Sequence, residues 1–258
     1  SRVGLRFPLY PLFAAPAIFY LVRGLLYRRR NDFIWSGIAL GIGLHGYSPI
    51  RWLPVVLMVI VGIYLLHRHS RGNRSQAVLG LAALAGFALV LFLPLLRYTI
   101  ENPDSFSFRM LTRLGTVERP YPGAVGLIFL SNLWKSLVMF FYDNGSVWVN
   151  SIPGRPALDT VTAVFFFTGC VLLLVRYLRK RHWLDLIMLL LVPLLMMTSI
   201  LSLAFPDENP SLNRSGAAII PVFIIAAFGF DAIVRTFLRR ITARGAKAGI
   251  YLSTAVAL

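Results

Sequence analysis

Long apolar runs alternate along the chain with short clusters of charge, and several runs reach the length of membrane-crossing helices. A helix needs roughly 20 apolar residues to cross a hydrocarbon core about 30 Å thick. The pattern predicts a first span over about 8–26, closed by Arg28, Arg29 and Arg30. The stretch 33–66 is too long for one span and predicts two short ones, with the turn supplied by 45–54. There Pro49 and Pro54 lack a helical N–H, and Ser48, just before a proline, is biased out of the helical region. Further spans are expected over about 77–96, 160–175, 183–204 and 216–234, and another run begins near Ala248. The expected fold class is all-α: a polytopic transmembrane helix bundle of about seven full spans plus a truncated eighth, forming a single domain over 1–258. The start at Ser1 and the end inside an apolar run at Leu258 lead to the expectation of a fragment of a larger membrane protein.

One connection breaks the rhythm. The loop over about 97–159 is far longer than the 2–8 residues usual between bundled helices, and such loops are commonly functional. Asn102-Pro103-Asp104 and Arg119-Pro120-Tyr121-Pro122-Gly123 punctuate it as turns. Between them and the next span, 127–142 is rich in Leu, Phe, Trp and Met with a single Lys135. It is long enough to be another span, but crossing there would spoil the charge pattern described below. A helix lying in or dipping into the outer interface is therefore the expectation.

Composition narrows the class. The 258 residues are 57% hydrophobic and 14% charged, with a mean hydropathy of +0.72; soluble domains sit near 45–50% and about 25%. That excess excludes a water-facing globule and a disordered chain, and the single Cys170 excludes a disulfide scaffold. The net charge of +16 would suggest a nucleic-acid partner in a soluble protein. Here its placement explains it. Sixteen basic residues (Arg23, 28–30, 68, 71, 74, 176, 179–181 and the basic positions of 235–247) fall on alternate connections with only Asp32, Asp185 and Asp231. The opposite connections carry ten basic and seven acidic residues. This segregation predicts a multi-pass plasma-membrane protein with its basic loops cytoplasmic, the lipid bilayer as partner and no nucleic acid.

Candidate chemistry is sparse. Gly41-Ile42-Gly43-Leu44-His45-Gly46 lies in an apolar segment and fits small-residue helix packing better than a phosphate loop. His45, His67, His69 and His182 lack metal-ligand spacing, so no metal site and no cofactor are identified. The charges on the proposed outer face are more informative, because charge at a membrane boundary is costly without a partner. Arg51 follows Tyr47 at the proline-broken turn; Arg214 opens the seventh span, after Asp207 and Glu208; Arg2 and Arg6 precede the first. Together they form a candidate site for a lipid-linked phosphate, held by charge-assisted hydrogen bonds. The alternative is interfacial anchoring by snorkelling arginines, with Arg214 paired to Glu208.

The stretch from Gly37 to Pro54, including Tyr47, Arg51 and Trp52, resembles a recurring signature of bacterial membrane glycosyltransferases of the GT-C fold, related to protein O-mannosyltransferases and the aminoarabinose transferase of lipid A. The opening 1–6, the stretch 150–159 and Pro206-Asp207-Glu208-Asn209-Pro210 followed by Arg214 and Pro221 look similar to the same proteins. The resemblance implies an inverting, multi-pass transferase that moves a sugar from a polyprenyl-phosphate carrier to a glycan, lipid or protein acceptor on the outer face. It places the catalytic acidic residue in a first outer loop upstream of Ser1, so the chain alone is expected to be inactive. Cations near the donor phosphate would stabilise charge growing on the leaving group. Arg51 and Arg214 are the first candidates and Arg2 and Arg6 the second, with Tyr47, Glu208 and Asp207 for sugar binding or positioning. Competing functions are a polytopic transporter or lipid flippase, for which no internal repeat stands out, and a non-catalytic membrane assembly subunit.

Overall fold

The computed structural model describes residues 6–103, 115, 118–147 and 152–256, with side chains described as far as Leu238. Arg2 and parts of 97–159 and 150–159 lie outside the described residues. The described residues form helices and turns with no strand. The helices are α1 (Leu9–Tyr27), α2 (Arg30–Gly43), α3 (Leu53–Leu66), α4 (Arg74–Glu101), α5 (Val125–Val138), α6 (Thr160–Lys180), α7 (Trp183–Ile200) and α8 (Ile219–Val256). Six of these, α3 and α8 counted with the 3-10 turns that precede them, are long and apolar enough to cross a membrane.

The sequence expectation of seven full spans and an eighth is corrected at two places. The segment expected as the second span is α2, which has 14 residues and carries Arg30 and Asp32 in its first turn. It falls short because Leu44–Tyr47 turns the chain and Ser48–Trp52 forms a 3-10 turn running directly into α3. The run expected as an eighth span continues α8 without a break. Its 235–247 stretch carries four Arg, two Ala and one Lys, all good helix formers, and an isolated Gly245 costs only about 1 kcal/mol. The interfacial helix expected at 127–142 is α5, 14 residues and so about 21 Å long, well under the hydrocarbon thickness.

Packing follows small residues. A Cβ on Gly37 would collide with the Leu84 carbonyl, and one on Gly41 would press on Leu91 and Ala88, so α2 can lie directly on α4 only because these positions are glycine. On its other side α2 meets α1, where Ser36 donates to the Ala17 carbonyl at 2.7 Å. Asp159 caps α6 by accepting from the Val161 and Thr162 amides. Hydrogen bonding from the Thr162 side chain first, then from these amides, holds its carboxyl below the ordinary range.

The bundle has two distinct ends. At one, the α1–α2 turn meets α4 through the Gln76 amide and the Arg28 carbonyl. There His67 lies against Tyr177, and His69 against His182. These contacts gather the basic connections. At the other end Trp52, Tyr10, α5, the 201–218 segment and the C-terminal half of α7 come together.

Candidate functional site

The basic end is built from two hairpin turns of the same design. Arg28 closes α1 and Arg181 closes α6, each in the left-handed region (φ 58° and 50°). Each is followed by one extended residue, Arg29 or His182, which opens the next helix. Arg23 then grips Asp32 with its Nε and Nη2 at 2.8 and 2.6 Å. Arg176 grips Asp185 in the same way, with Nε to Oδ2 at 2.8 Å and Nη2 on Oδ1. Such bidentate forks are the stronger form of ion pair. Both aspartates are buried, at 2% and 1% exposure. The repeated pattern is Arg, four residues, Arg, three residues, Asp, at 23–32 and again at 176–185. That spacing is visible in the sequence and escapes notice because the intervening residues differ. His182 is partly desolvated, and burial first, with smaller contributions from His69, Arg176 and His67, holds its pKa below the ordinary histidine value against the opposing pull of Asp185.

The opposite end holds the candidate anion-binding residues. Arg214 donates from Nη1 to Ser202 Oγ at 2.5 Å and from Nη2 to Glu208. Its carbonyl accepts from the Thr198 hydroxyl at 2.8 Å. The Arg214–Glu208 pair is the one the anchoring alternative anticipated. Asp207 is exposed and meets Arg119 at 3.4 Å. Arg51 is half-buried in the 3-10 turn, whose Trp52 donates from Nε1 to the Leu194 carbonyl at 3.0 Å. Leu194 and Thr198 are one turn apart on α7, so the two arginine-bearing segments attach to the same stretch of that helix. Tyr47 packs edge-on against Phe7, with centroids 5.3 Å apart, which brings the start of α1 to the same turn. Arg6, beside Phe7, is exposed.

Sequence reasoning missed what supports this end. Asn209, 4% exposed, accepts from Ser136 Oγ at 3.1 Å and Ser199 Oγ at 2.7 Å and donates to the Asn132 carbonyl at 2.9 Å. Asn132, fully buried, donates to the Ile200 carbonyl at 3.0 Å. This network ties α5 to the end of α7 and fixes the segment that carries Glu208. Its partners lie up to 77 residues apart, and only the Asn-Pro pair at 209–210 marked the place in the sequence. Among the described residues no three His, Cys, Asp or Glu side chains gather into a metal set.

Fold and surface define a polytopic helical membrane protein with a cationic end and a polar, asparagine-braced end. No family model, curated protein or solved structure matches the chain.

Proposed function

We propose that the chain belongs to a polyprenyl-phosphate-sugar-dependent membrane glycosyltransferase of the GT-C type, and that Arg51 and Arg214 receive the carrier phosphate at the asparagine-braced end. One observation carries the reading: the segments bearing these arginines are attached to α7 one turn apart. The sequence resemblance supplies the class of ligand. In this reading the braced end faces outward and the basic end faces the cytoplasm. Glu208 holds Arg214 until a phosphate competes for it, and Ser202 fixes the guanidinium plane. Tyr47 borders the Arg51 turn as a sugar-positioning side chain.

The repeated hairpin turn favours a second reading, a transporter or flippase, because such proteins are often built from repeats. Against it, Asp32 and Asp185 sit in the first turns of α2 and α7 and are engaged by arginine, so neither is free to couple an ion.

Binding of a polyprenyl phosphate to the purified full chain tests the proposal. An arginine bond to a buried phosphate contributes roughly 1.5–3 kcal/mol, so Arg51→Gln and Arg214→Gln should each weaken binding by about 10- to 150-fold. Lysine should rescue poorly, because an ammonium lacks the planar fork. Anchoring predicts silent lysine variants and a loss of yield rather than of affinity. Normal affinity in the double glutamine variant would end the proposal.

A further inference from the structure

The basic end presents nine exposed cations: Arg28, Arg29 and Arg30 on the first hairpin turn, Arg68, Arg71 and Arg74 on the α3–α4 connection, and Arg179, Lys180 and Arg181 at the second hairpin turn. They form one strip rather than three islands. Gln76 joins the α4 start to the first turn, and the His67–Tyr177 and His69–His182 contacts join the α3–α4 connection to the second.

What the strip lacks is equally specific. Among the described residues, the carboxylates carried by the two hairpins, Asp32 and Asp185, are withdrawn into the bundle by Arg23 and Arg176. Asp231 is paired with Arg235 one turn further along α8. The forks therefore leave a surface of uncompensated positive charge that would otherwise be partly neutralised from within.

The surroundings select the partner. Exposed apolar side chains stand one or two residues before each cation run: Tyr27 at 67% before Arg28, Leu66 at 84% two residues before Arg68 and Leu178 at 57% before Arg179. A soluble polyanion would meet these as an apolar rim with nothing to cover it. A bilayer covers them with acyl chains and places headgroup phosphates one or two residues further out, at the level of the guanidinium groups.

We propose that this strip is a docking surface for the phosphates of anionic phospholipids, assembled by the two hairpin turns and the α3–α4 connection and kept free of acid by the two buried forks. The claim is independent of the glycosyltransferase reading, since it concerns the other end of the bundle and structural lipid rather than donor.

The test is lipid competition on the purified full chain, exposed to equal amounts of phosphatidylglycerol and phosphatidylcholine, with retained lipids counted by native mass spectrometry. Phosphatidylglycerol should be retained in preference, and the preference should shrink at about 0.5 M salt as screening shortens. Replacing Arg68, Arg71 and Arg74 together by Gln should lower it by about fivefold per cation, the equivalent of the roughly 1 kcal/mol each contributes near an anionic surface. The same triple change to Lys should retain it, which separates charge loss from misfolding. Arg97→Gln, an exposed cation near the end of α4 remote from the strip, should leave it unchanged. Equal retention of the two lipids, or a preference that survives the triple Gln change in folded protein, would overturn the proposal. So would transfer RNA that binds the strip equally well with or without anionic lipid, which would assign these cations to a soluble polyanion.

Discussion

The two ends of the bundle solve the same problem, polar groups at the margin of an apolar core, by different means. At the basic end each buried carboxylate finds its arginine nine residues away, across a two-residue turn. At the opposite end Asn209 is satisfied by Ser199 ten residues before it and by Ser136 and Asn132, 73 and 77 residues away. The first arrangement forms with its own hairpin and needs little from the rest of the fold. The second exists only once α5, α7 and the 201–215 segment have met. Local closure gives a basic end that is a fixed platform, whereas long-range closure makes the other end a property of the whole assembly, as a ligand site usually is.

Breaking a fork should have the largest effect. Removing one partner of a buried ion pair typically costs about 3–5 kcal/mol, but Arg176 is 42% exposed and can rehydrate. Asp185→Ala should therefore destabilise by about 2–3 kcal/mol, read from thermal unfolding in detergent. Asp32→Ala should match it within about 1 kcal/mol if the two hairpins are equivalent. Exchanging the charges of Arg176 and Asp185 should recover part of the loss. A large effect at only one fork would break the equivalence.

Next is Asn209→Ala, which strands two serine hydroxyls and the Asn132 carbonyl at an expected cost of about 2 kcal/mol. Because the network also places Glu208 and Arg214, this variant should weaken lipid-phosphate binding as well as stability. Asp185→Ala should affect stability alone. A variant that binds normally would uncouple the brace from the site.

The smallest effect is one of pH. His182 has its pKa depressed chiefly by burial, with Arg176 and the facing His69 adding to it against Asp185, so contact between the α3–α4 connection and the second hairpin favours the neutral imidazole. The contact is complete above the ordinary histidine value of about 6.5 and weakens as pH falls below it. Amide exchange over residues 67–73 should be faster by a few fold at pH 5 than at pH 7.5, and His182→Asn should remove the difference. The α1–α2 turn, with Arg29 in the position of His182, should show no such dependence.

The same contrast explains what was legible in the sequence. Apolar length located α1, α3, α4, α6, α7 and α8, because crossing a bilayer imposes a length that no neighbour alters. It overcounted at α2, where fourteen residues between two turns looked like part of a longer run, and at the far end of α8, where a basic stretch suggested a loop but carries nothing to stop a helix. Gly41 and its neighbours read correctly as packing positions. Arg214 and Glu208 were legible as a pair because they lie six residues apart. The Asn209 network was not, since an asparagine in a loop says nothing about a serine on a helix 73 residues earlier.

The most direct measurement is to locate the carrier itself. A polyprenyl phosphate bearing a photoreactive group next to its phosphate, crosslinked to the full chain and mapped by mass spectrometry, should label peptides containing 47–52 and 198–214. The labelling should fall when Arg214 is replaced by Gln. Labelling concentrated at 23–32 and 176–185 would place the phosphate at the basic end, contradict the assignment of Arg51 and Arg214, and leave that end as the protein's general meeting point with anionic lipid.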